Sequence, residues 1–281
     1  MPPVEVRSGL ASQAGLVRDE NQDSLRVADD DPHGHGHLCV LADGMGGYAH
    51  GALASRTAVE ALWAAFYGGR PQRALQNLRR GFDQANLEVH RAAQRLGAGR
   101  IGTTLTAARI AGDELTVAHV GDSRGYLVRD GQARCLTNDH TVVGDLVRMK
   151  VLSPDQVRTH ARRSVLSKSL GTGLFVQPDV TRLKLRQGDI LILCSDGVWS
   201  VVEDAEFASL AAEEPDPGTL SRSLIELAML RESDDNVSAI AVHIKQLPAD
   251  LASRAGRGWP WAALLRQRPA GPSGPSESGV L

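Results

Sequence analysis

Cysteines, long apolar runs and blocks of like charge are all scarce in this chain. Its three cysteines, Cys39, Cys135 and Cys194, form no CxxC pair and are too scattered for a disulfide framework, which excludes a small disulfide-stapled secreted fold. Each lies in or beside an apolar run and reads as a small core residue. No stretch approaches the ~20 apolar residues of a membrane span, and Met1-Pro2-Pro3-Val4-Glu5 lacks the basic start and apolar core of a secretory leader. A cytoplasmic protein with no membrane partner is expected. A formal net charge of -2 without a dense Lys/Arg block leaves no electrostatic footprint for nucleic acid. What is present, 42% hydrophobic residues over 281 positions, suffices for a full core in one large domain or two small ones.

Hydrophobic periodicity divides the chain. Strands are expected over residues 4–12, 24–28 and 37–42, with the polar loop 29–36 as a hairpin tip. Two amphipathic helices follow, over 51–67 and 71–96. The second is marked by Ala74, Leu75, Leu78, Phe82, Ala85, Leu87 and Val89 at helical spacing, and Pro71 suits its first turn. A strand-rich block covers 102–110, 115–120, 125–128 and 133–136, with turns at Ala111-Gly112-Asp113 and Asp130-Gly131. Residues 140–170 turn polar and helical, with a helix start at Ser153-Pro154-Asp155, and read as a subdomain inserted between strands. Strands resume over 176–185 and 190–194, helices over 207–210 and 220–230, and a last strand covers 237–244. This order, without strict βαβ alternation, implies an α+β fold layered around antiparallel sheets. The folded domain is expected over 1–247, and 248–281, rich in Pro, Gly and Ser, as a disordered tail. Within the tail, Trp259 and Trp261 form an apolar patch expected to pack on its own domain.

Five aspartates stand where these strands begin or end: Asp23, Asp43, Asp122, Asp196 and Asp235. Any one Asp-Gly step is explained better as a β-turn. Together, gathered without His or Cys, the five suit a hard divalent cation, Mn or Mg, which takes oxygen ligands and keeps several waters. The glycines after Asp43 and Asp196 let backbone pass close to an ion, and the Gly44 carbonyl is a further oxygen donor. Arg18, close in sequence to Asp23, is redundant for a metal but matches a phosphate, which its planar fork grips at two points. Gly44, Gly46 and Gly47 do not form a nucleotide loop, because no glycine-lysine-serine/threonine run follows and the GxGxxG spacing is absent. His33, His35 and His37 alternate through a segment better read as a flexible loop than as a chelate, and His140 and His160 read as structural or flap residues and not as ligands.

In order along the chain stand Arg18-Asp19-Glu20-Asn21-Gln22-Asp23, Asp43-Gly44-Met45-Gly46-Gly47, Ile101-Gly102-Thr103-Thr104 and Val120-Gly121-Asp122-Ser123-Arg124. They are followed by Asp139-His140-Thr141, Ser195-Asp196-Gly197-Val198-Trp199 and Asp235-Asn236-Val237-Ser238. Over roughly residues 8–244 this set resembles the ordered motifs of bacterial metal-dependent protein phosphatases of the 2C family. The resemblance implies a four-layer αββα sandwich, two antiparallel sheets flanked by helices, with a centre for two Mn or Mg ions at one end. Transferred by motif, Asp43 bridges both metals, the Gly44 carbonyl binds one, and Asp196 and Asp235 bind the other. Asp23 then holds metal-bound water, Arg18 binds phosphate, and Asp122 with Asp196 holds a third, weaker ion. The insertion at 140–170 falls where these enzymes carry a mobile flap.

The activity implied is hydrolysis of phosphoserine and phosphothreonine in proteins by a metal-bridging hydroxide, without a phosphoenzyme, by a monomer that opposes a serine/threonine kinase. One departure concerns the leaving-group proton. Bacterial members often place a histidine where this chain has Tyr48, and His50 comes two residues later. His50, a metal-bound water, or no acid at all remain the alternatives, and neither residue is assigned a catalytic role. Two other readings use the same fold: a catalytically silent phosphoprotein-binding regulator, and a phosphatase narrowed to one partner, such as an anti-sigma antagonist or a secretion-system component. The first would be expected to lose metal carboxylates, and here all are retained.

Overall fold

Apolar side chains that alternate with a period of two organise the centre of this protein. In the computed structural model, which describes residues 4–28, 34–46, 49–97, 101–153 and 156–248, the strand His37–Met45 (β3) shows the pattern plainly. Leu38, Val40 and Ala42 face one layer while Cys39 and Leu41 face another, and all are buried. Among the described residues the strands form two antiparallel sheets. The first runs β1 (Glu5–Gln13), β11 (Val237–Gln246), β10 (Ile190–Cys194), β7 (Arg124–Arg129) and β8 (Gln132–Cys135). The second runs β2 (Asp23–Val27), β3, β5 (Leu105–Ala111), β6 (Glu114–Val120) and β9 (Asp179–Lys184), with the short β4 (Gly102–Thr103) paired to β3.

Three apolar layers follow from that alternation. Between the sheets, Leu41, Ile110 and Val117 of one meet Leu127, Leu193, Ile240 and Val242 of the other. On the outer face of the second sheet, Leu38, Val40, Leu105 and Val120 pack against α1 (Ala49–Tyr67) and α2 (Ala74–Leu96) through Leu62, Phe66, Leu78 and Phe82. On the outer face of the first, Tyr126, Ile192 and Ala239 meet α4 (Asp196–Trp199), α5 (Asp204–Glu213) and α6 (Pro217–Leu230) through Trp199, Phe207 and Leu224. At ~1.5–3 kcal/mol for each fully buried large apolar side chain, these layers carry the stability of the fold. The result is the expected four-layer αββα sandwich. No helix among the described residues is long and apolar enough to cross a membrane.

The structure revises several expected elements. β3 continues through Asp43 and Gly44 instead of stopping before them, because Gly44 N–H bonds the Gln22 carbonyl and Thr104 N–H bonds the Asp43 carbonyl. The first turn of the 71–96 helix is a 3-10 turn, Pro71–Arg73, and β9 starts only at Asp179. Among the described residues of 140–170 the α-helix is confined to α3 (Val142–Arg148). Tertiary pairing outweighs the helical pattern there: Val142 N–H bonds Val165, Ser167 N–H bonds His140, and Leu170 exchanges two hydrogen bonds with Thr103. The proposed helix start at 153–155 lies partly outside the described residues. The four-residue α4 was not anticipated.

Cys39 and Cys194 are buried as expected, whereas Cys135 is only half-buried on the edge strand β8. His35 and His37 are buried and bonded to the Gly69 and Val4 carbonyls, so they are structural residues and not part of a flexible loop. His33, the tail at 249–281 with Trp259 and Trp261, and Tyr48 lie outside the described residues.

A buried histidine pair joins β6 to the start of the 140–170 segment. His119 and His140 stack with ring centroids 5.0 Å apart. Nε2–H of His119 donates to the Gly121 carbonyl at 2.9 Å, and in the neutral ring Nδ1 accepts from the Thr106 hydroxyl at 2.8 Å. Burial, reinforced by the neighbouring His140, lowers the His119 pKa to about 4. An unfolded histidine titrates near ~6.5, so this group's stability contribution is complete above that pH and is lost as pH falls through the window down to about 4. The expected loss between pH 7.5 and 4.5 is about 2.5 kcal/mol. Urea unfolding of the wild type and His119→Gln at both pH values checks this, since the carboxylates titrate alike in each. The variant's stability should fall less by about that amount, and equal falls would refute the assignment.

Candidate metal and phosphate site

Strand register brings the first two aspartates together. Asp23 at the start of β2 pairs directly with Asp43 in β3, and residues directly opposed on antiparallel strands present their side chains to the same face. Like charges at such a pair are unfavourable for the fold, and a bound cation would offset them. Asp122 lies in the turn between β6 and β7, and Asp196 opens α4 immediately after β10. Asp235 precedes β11, whose first residues pair beside the end of β10, with Ser195 N–H on the Ser238 carbonyl at 3.0 Å. Asp43, Asp122, Asp196 and Asp235 line one cavity of about 590 Å³, together with Gly44 and Arg18. Asp23 lies against Asp43 without being part of that lining.

Loss of solvent, more than any other cause, shifts the protonation of this cluster. Burial raises the Asp23 pKa to about 6 and that of Asp196 to about 7, with the Asp235 charge adding to both. Asp43 is raised well above the usual carboxylate range by burial and then by Asp23, Asp196, Asp122 and Asp235, and Asp122 by burial and then by Asp196 and Asp139. Neither oxygen of Asp23 nor Oδ1 of Asp196 completes a hydrogen bond, although the Ser238 and Ser195 hydroxyls stand close enough to Asp23 to favour its charged form. Buried, electron-rich and underbonded oxygens of this kind fit a hard divalent cation. Among the described residues no three His, Cys, Asp or Glu side chains form a ready-made ligand cage. A cation here would be held by a few carboxylates and water, as Mg and Mn commonly are.

The surrounding loops are held by residues to which the sequence reading gave no role. Asn236 is buried, its amide donates to the Ala14 and Glu20 carbonyls at 2.8 and 2.9 Å, and its Oδ1 accepts from Gln22 N–H at 2.9 Å. One side chain thereby fixes the Arg18 to Asp23 loop to the Asp235 loop. Thr104 Oγ1 accepts from Asp43 N–H at 2.9 Å, and Thr103 Oγ1 donates to the Asp43 carbonyl at 2.8 Å. Trp199 Nε1–H donates to the Asp122 carbonyl at 2.8 Å, and Arg124 stacks over the Trp199 ring at 3.6 Å. Ser164 and Leu166, from the inserted segment, also line the cavity. Asn236, Thr103, Thr104 and Trp199 all lie within the ordered motifs, but of them only Asn236 stands directly beside one of the five aspartates, so position next to Asp235 was the one local signal available.

Gly44 is required by close packing. A Cβ there would stand 2.0 Å from the Gly51 carbonyl oxygen on α1, and one on Gly51 would stand 2.8 Å from the Gly44 carbonyl oxygen. The two glycines let the first helix press against the strand that carries Asp43. Arg18 stands at the rim, half-exposed, with its guanidinium 2.6 Å from Asp235, whose hydrogen bond raises the arginine's pKa. It supplies a cationic side chain to a cavity otherwise edged by Asp19, Glu20 and the four lining aspartates. His50 lies in the first turn of α1 and is absent from the described lining, and His140 is held by Gly121 N–H and Asp179, as a structural residue would be.

Comparison with known proteins identifies the family to which this fold belongs. Residues 17–226 match the family described as protein phosphatase 2C. The serine/threonine protein phosphatase PstP of Mycobacterium tuberculosis H37Rv is 35% identical over 244 residues, 85% of this chain and 45% of that protein. This chain therefore spans about half the length of that relative. The serine/threonine phosphatase stp of Listeria monocytogenes is 30% identical, over 81% of this chain and 92% of its own length. A crystal structure of the PstP catalytic domain in complex with two manganese ions superimposes with a TM-score of 0.76 at 33% identity, over 87% of this chain and 100% of that one. The motif order, the two-sheet sandwich and these likenesses agree: the chain belongs to the protein phosphatase 2C family.

Proposed function

We propose that this chain is a metal-dependent protein serine/threonine phosphatase that hydrolyses phosphoserine and phosphothreonine in proteins and so opposes a serine/threonine kinase. The observation that carries the reading is the meeting of Asp43, Asp122, Asp196 and Asp235, from four separate places in the chain, around one cavity with Arg18 at its rim. We assign the catalytic unit to residues 1–247, since β11 completes its sheet at Gln246, and the flap to 140–170. We place it in the cytoplasm as a monomer.

Asp43, Asp196, Asp235 and the Gly44 carbonyl would hold two ions, Mn by likeness to the PstP domain or Mg by the same oxygen chemistry, and Asp122 with Asp196 a third, weaker one. Bound there, such cations supply Lewis-acid charge and make water acidic enough to provide a nucleophile near neutral pH. The chain itself contributes placement and charge. Arg18 exchanges Asp235 for phosphate at little cost, because a half-exposed ion pair is worth only ~0–1 kcal/mol while a forked guanidinium–phosphate contact is charge-assisted at two points. Asp23, buried against Asp43 behind the lining, would accept hydrogen bonds from water held by the ions. Asn236 and Thr104 keep the loops that carry these groups in register.

Hydrolysis of p-nitrophenyl phosphate and of a phosphothreonine peptide by metal-stripped protein, before and after addition of Mn or Mg, tests the proposal. Turnover is expected only with metal. Folded, metal-loaded protein that hydrolyses neither would favour the silent phosphoprotein-binding regulator.

A further inference from the structure

A second cavity, of about 720 Å³, opens beside the first and shares Met45 and Leu166 with its lining. It runs between the last turns of α2, the start of β4 and the segment that closes the inserted subdomain. Its apolar lining includes Met45, Ala93, Ile101, Val165 and Leu166, and Val165 remains 44% exposed. Its described ionisable lining is Lys168 and His90, with no carboxylate, in contrast to the acidic cavity next door. The Lys168 ammonium is 3.0 Å from Asp179, an exposed pair that leaves it further donors. The His90 ring is held by the Gly171 carbonyl. This groove is too large and too apolar for a phosphate, and its volume falls in the range of sites that enclose side chains.

We propose that this groove receives the stretch of substrate protein next to the phosphorylated residue, and favours a bulky apolar side chain there with an acidic residue close by. The inference rests on the phosphatase reading and adds a substrate class to it. A phosphoserine or phosphothreonine reaching into the aspartate cavity leads its own chain over Met45 and Leu166, the residues common to both cavities. The apolar wall then buries the neighbouring side chain. Lys168 faces acidic groups of the peptide, and nothing in the described lining repels them. Small phosphate esters, which fill only the first cavity, gain nothing from the second.

Two phosphothreonine peptides of equal length test this, one with leucine and aspartate on both sides of the phosphothreonine and one with glycine and serine, alongside p-nitrophenyl phosphate, all with Mn. For the wild type, kcat/KM should be about tenfold higher on the first peptide than on the second. Ala93→Trp, which fills the groove from α2, and Lys168→Glu, which reverses its charge, should bring that ratio close to one while leaving p-nitrophenyl phosphate turnover unchanged. A wild-type ratio within about twofold of one, or a ratio kept by Lys168→Glu and by folded Ala93→Trp, would overturn the proposal. Should metal-loaded wild type hydrolyse no substrate at all, the phosphatase reading fails, and fluorescence anisotropy of the two labelled peptides still decides the groove. Tighter binding of the leucine–aspartate peptide, lost in both variants, supports it, and equal binding overturns it.

Discussion

Asp43→Asn is expected to lower metal-dependent turnover of p-nitrophenyl phosphate by about 10³-fold, ~4 kcal/mol of transition-state stabilisation, while leaving the fold at least as stable as the wild type. The two effects separate because of how Asp43 is held. Its structural bonds are made by the backbone: N–H to Thr104 Oγ1, and the carbonyl to Thr104 N–H and the Thr103 hydroxyl. An asparagine keeps all of them. Its carboxylate, by contrast, is disfavoured as a charge by burial first and then by Asp23, Asp196, Asp122 and Asp235, which together raise its pKa. Removing that charge relieves the metal-free protein and weakens cation binding in the same stroke, the trade expected where a site is built at the expense of stability. Thermal unfolding with and without Mn provides the second readout. The wild type should gain ~2.7 kcal/mol at a metal concentration a hundred times its dissociation constant, and the variant much less. Turnover within tenfold of the wild type would remove Asp43 from the centre of the site.

Strand positions and the site's ionisable groups were legible in the sequence because both follow short-range rules. Leu38 to Ala42 is an unbroken apolar run, as a strand buried on both faces requires, and Asp130-Gly131 adopts the positive φ values, 52° and 73°, that its turn chemistry foretold. Each aspartate was found from its own neighbours, and the arginine from its chemistry. Long-range pairing was not legible. The 140–170 segment reads as helix locally, yet its far end pairs back on its start, Ser167 on His140 and Val165 on Val142, and Leu170 pairs with Thr103 of β4, contacts between residues too far apart in sequence for periodicity to specify. The Asp23–Asp43 pairing depends on strand register, and the Gly44–Gly51 contact on how α1 packs over β3, neither of which periodicity specifies. His35 and His37 looked like loop residues until the Gly69 and Val4 carbonyls, brought from other parts of the chain, gave them buried partners.

Asn236 is where that long-range order converges, and Asn236→Ala should damage both stability and catalysis. The substitution deletes two donors and one acceptor and leaves the Ala14 and Glu20 carbonyls and Gln22 N–H without their partner in a largely shielded interior. An unmet buried polar group costs ~1–3 kcal/mol, but some of these groups will relax toward water, so about 3 kcal/mol of destabilisation is expected in urea unfolding. Catalysis suffers because the amide is the tie between the loop that carries Arg18 and the loop that carries Asp235, whose side chains lie 2.6 Å apart at the cavity rim. A displacement near 1 Å there is worth up to about 10²-fold in rate. Asn236→Asp separates the two roles: it keeps the acceptor for Gln22 N–H, loses both donors, and adds a negative charge beside Asp235. Its activity should fall at least as far as that of Asn236→Ala, with KM for a phosphorylated peptide raised as the added carboxylate competes for Arg18 and repels phosphate. If both variants retain wild-type kcat/KM while losing stability, Asn236 is a fold residue alone, and the positioning of Arg18 must come from elsewhere in its loop.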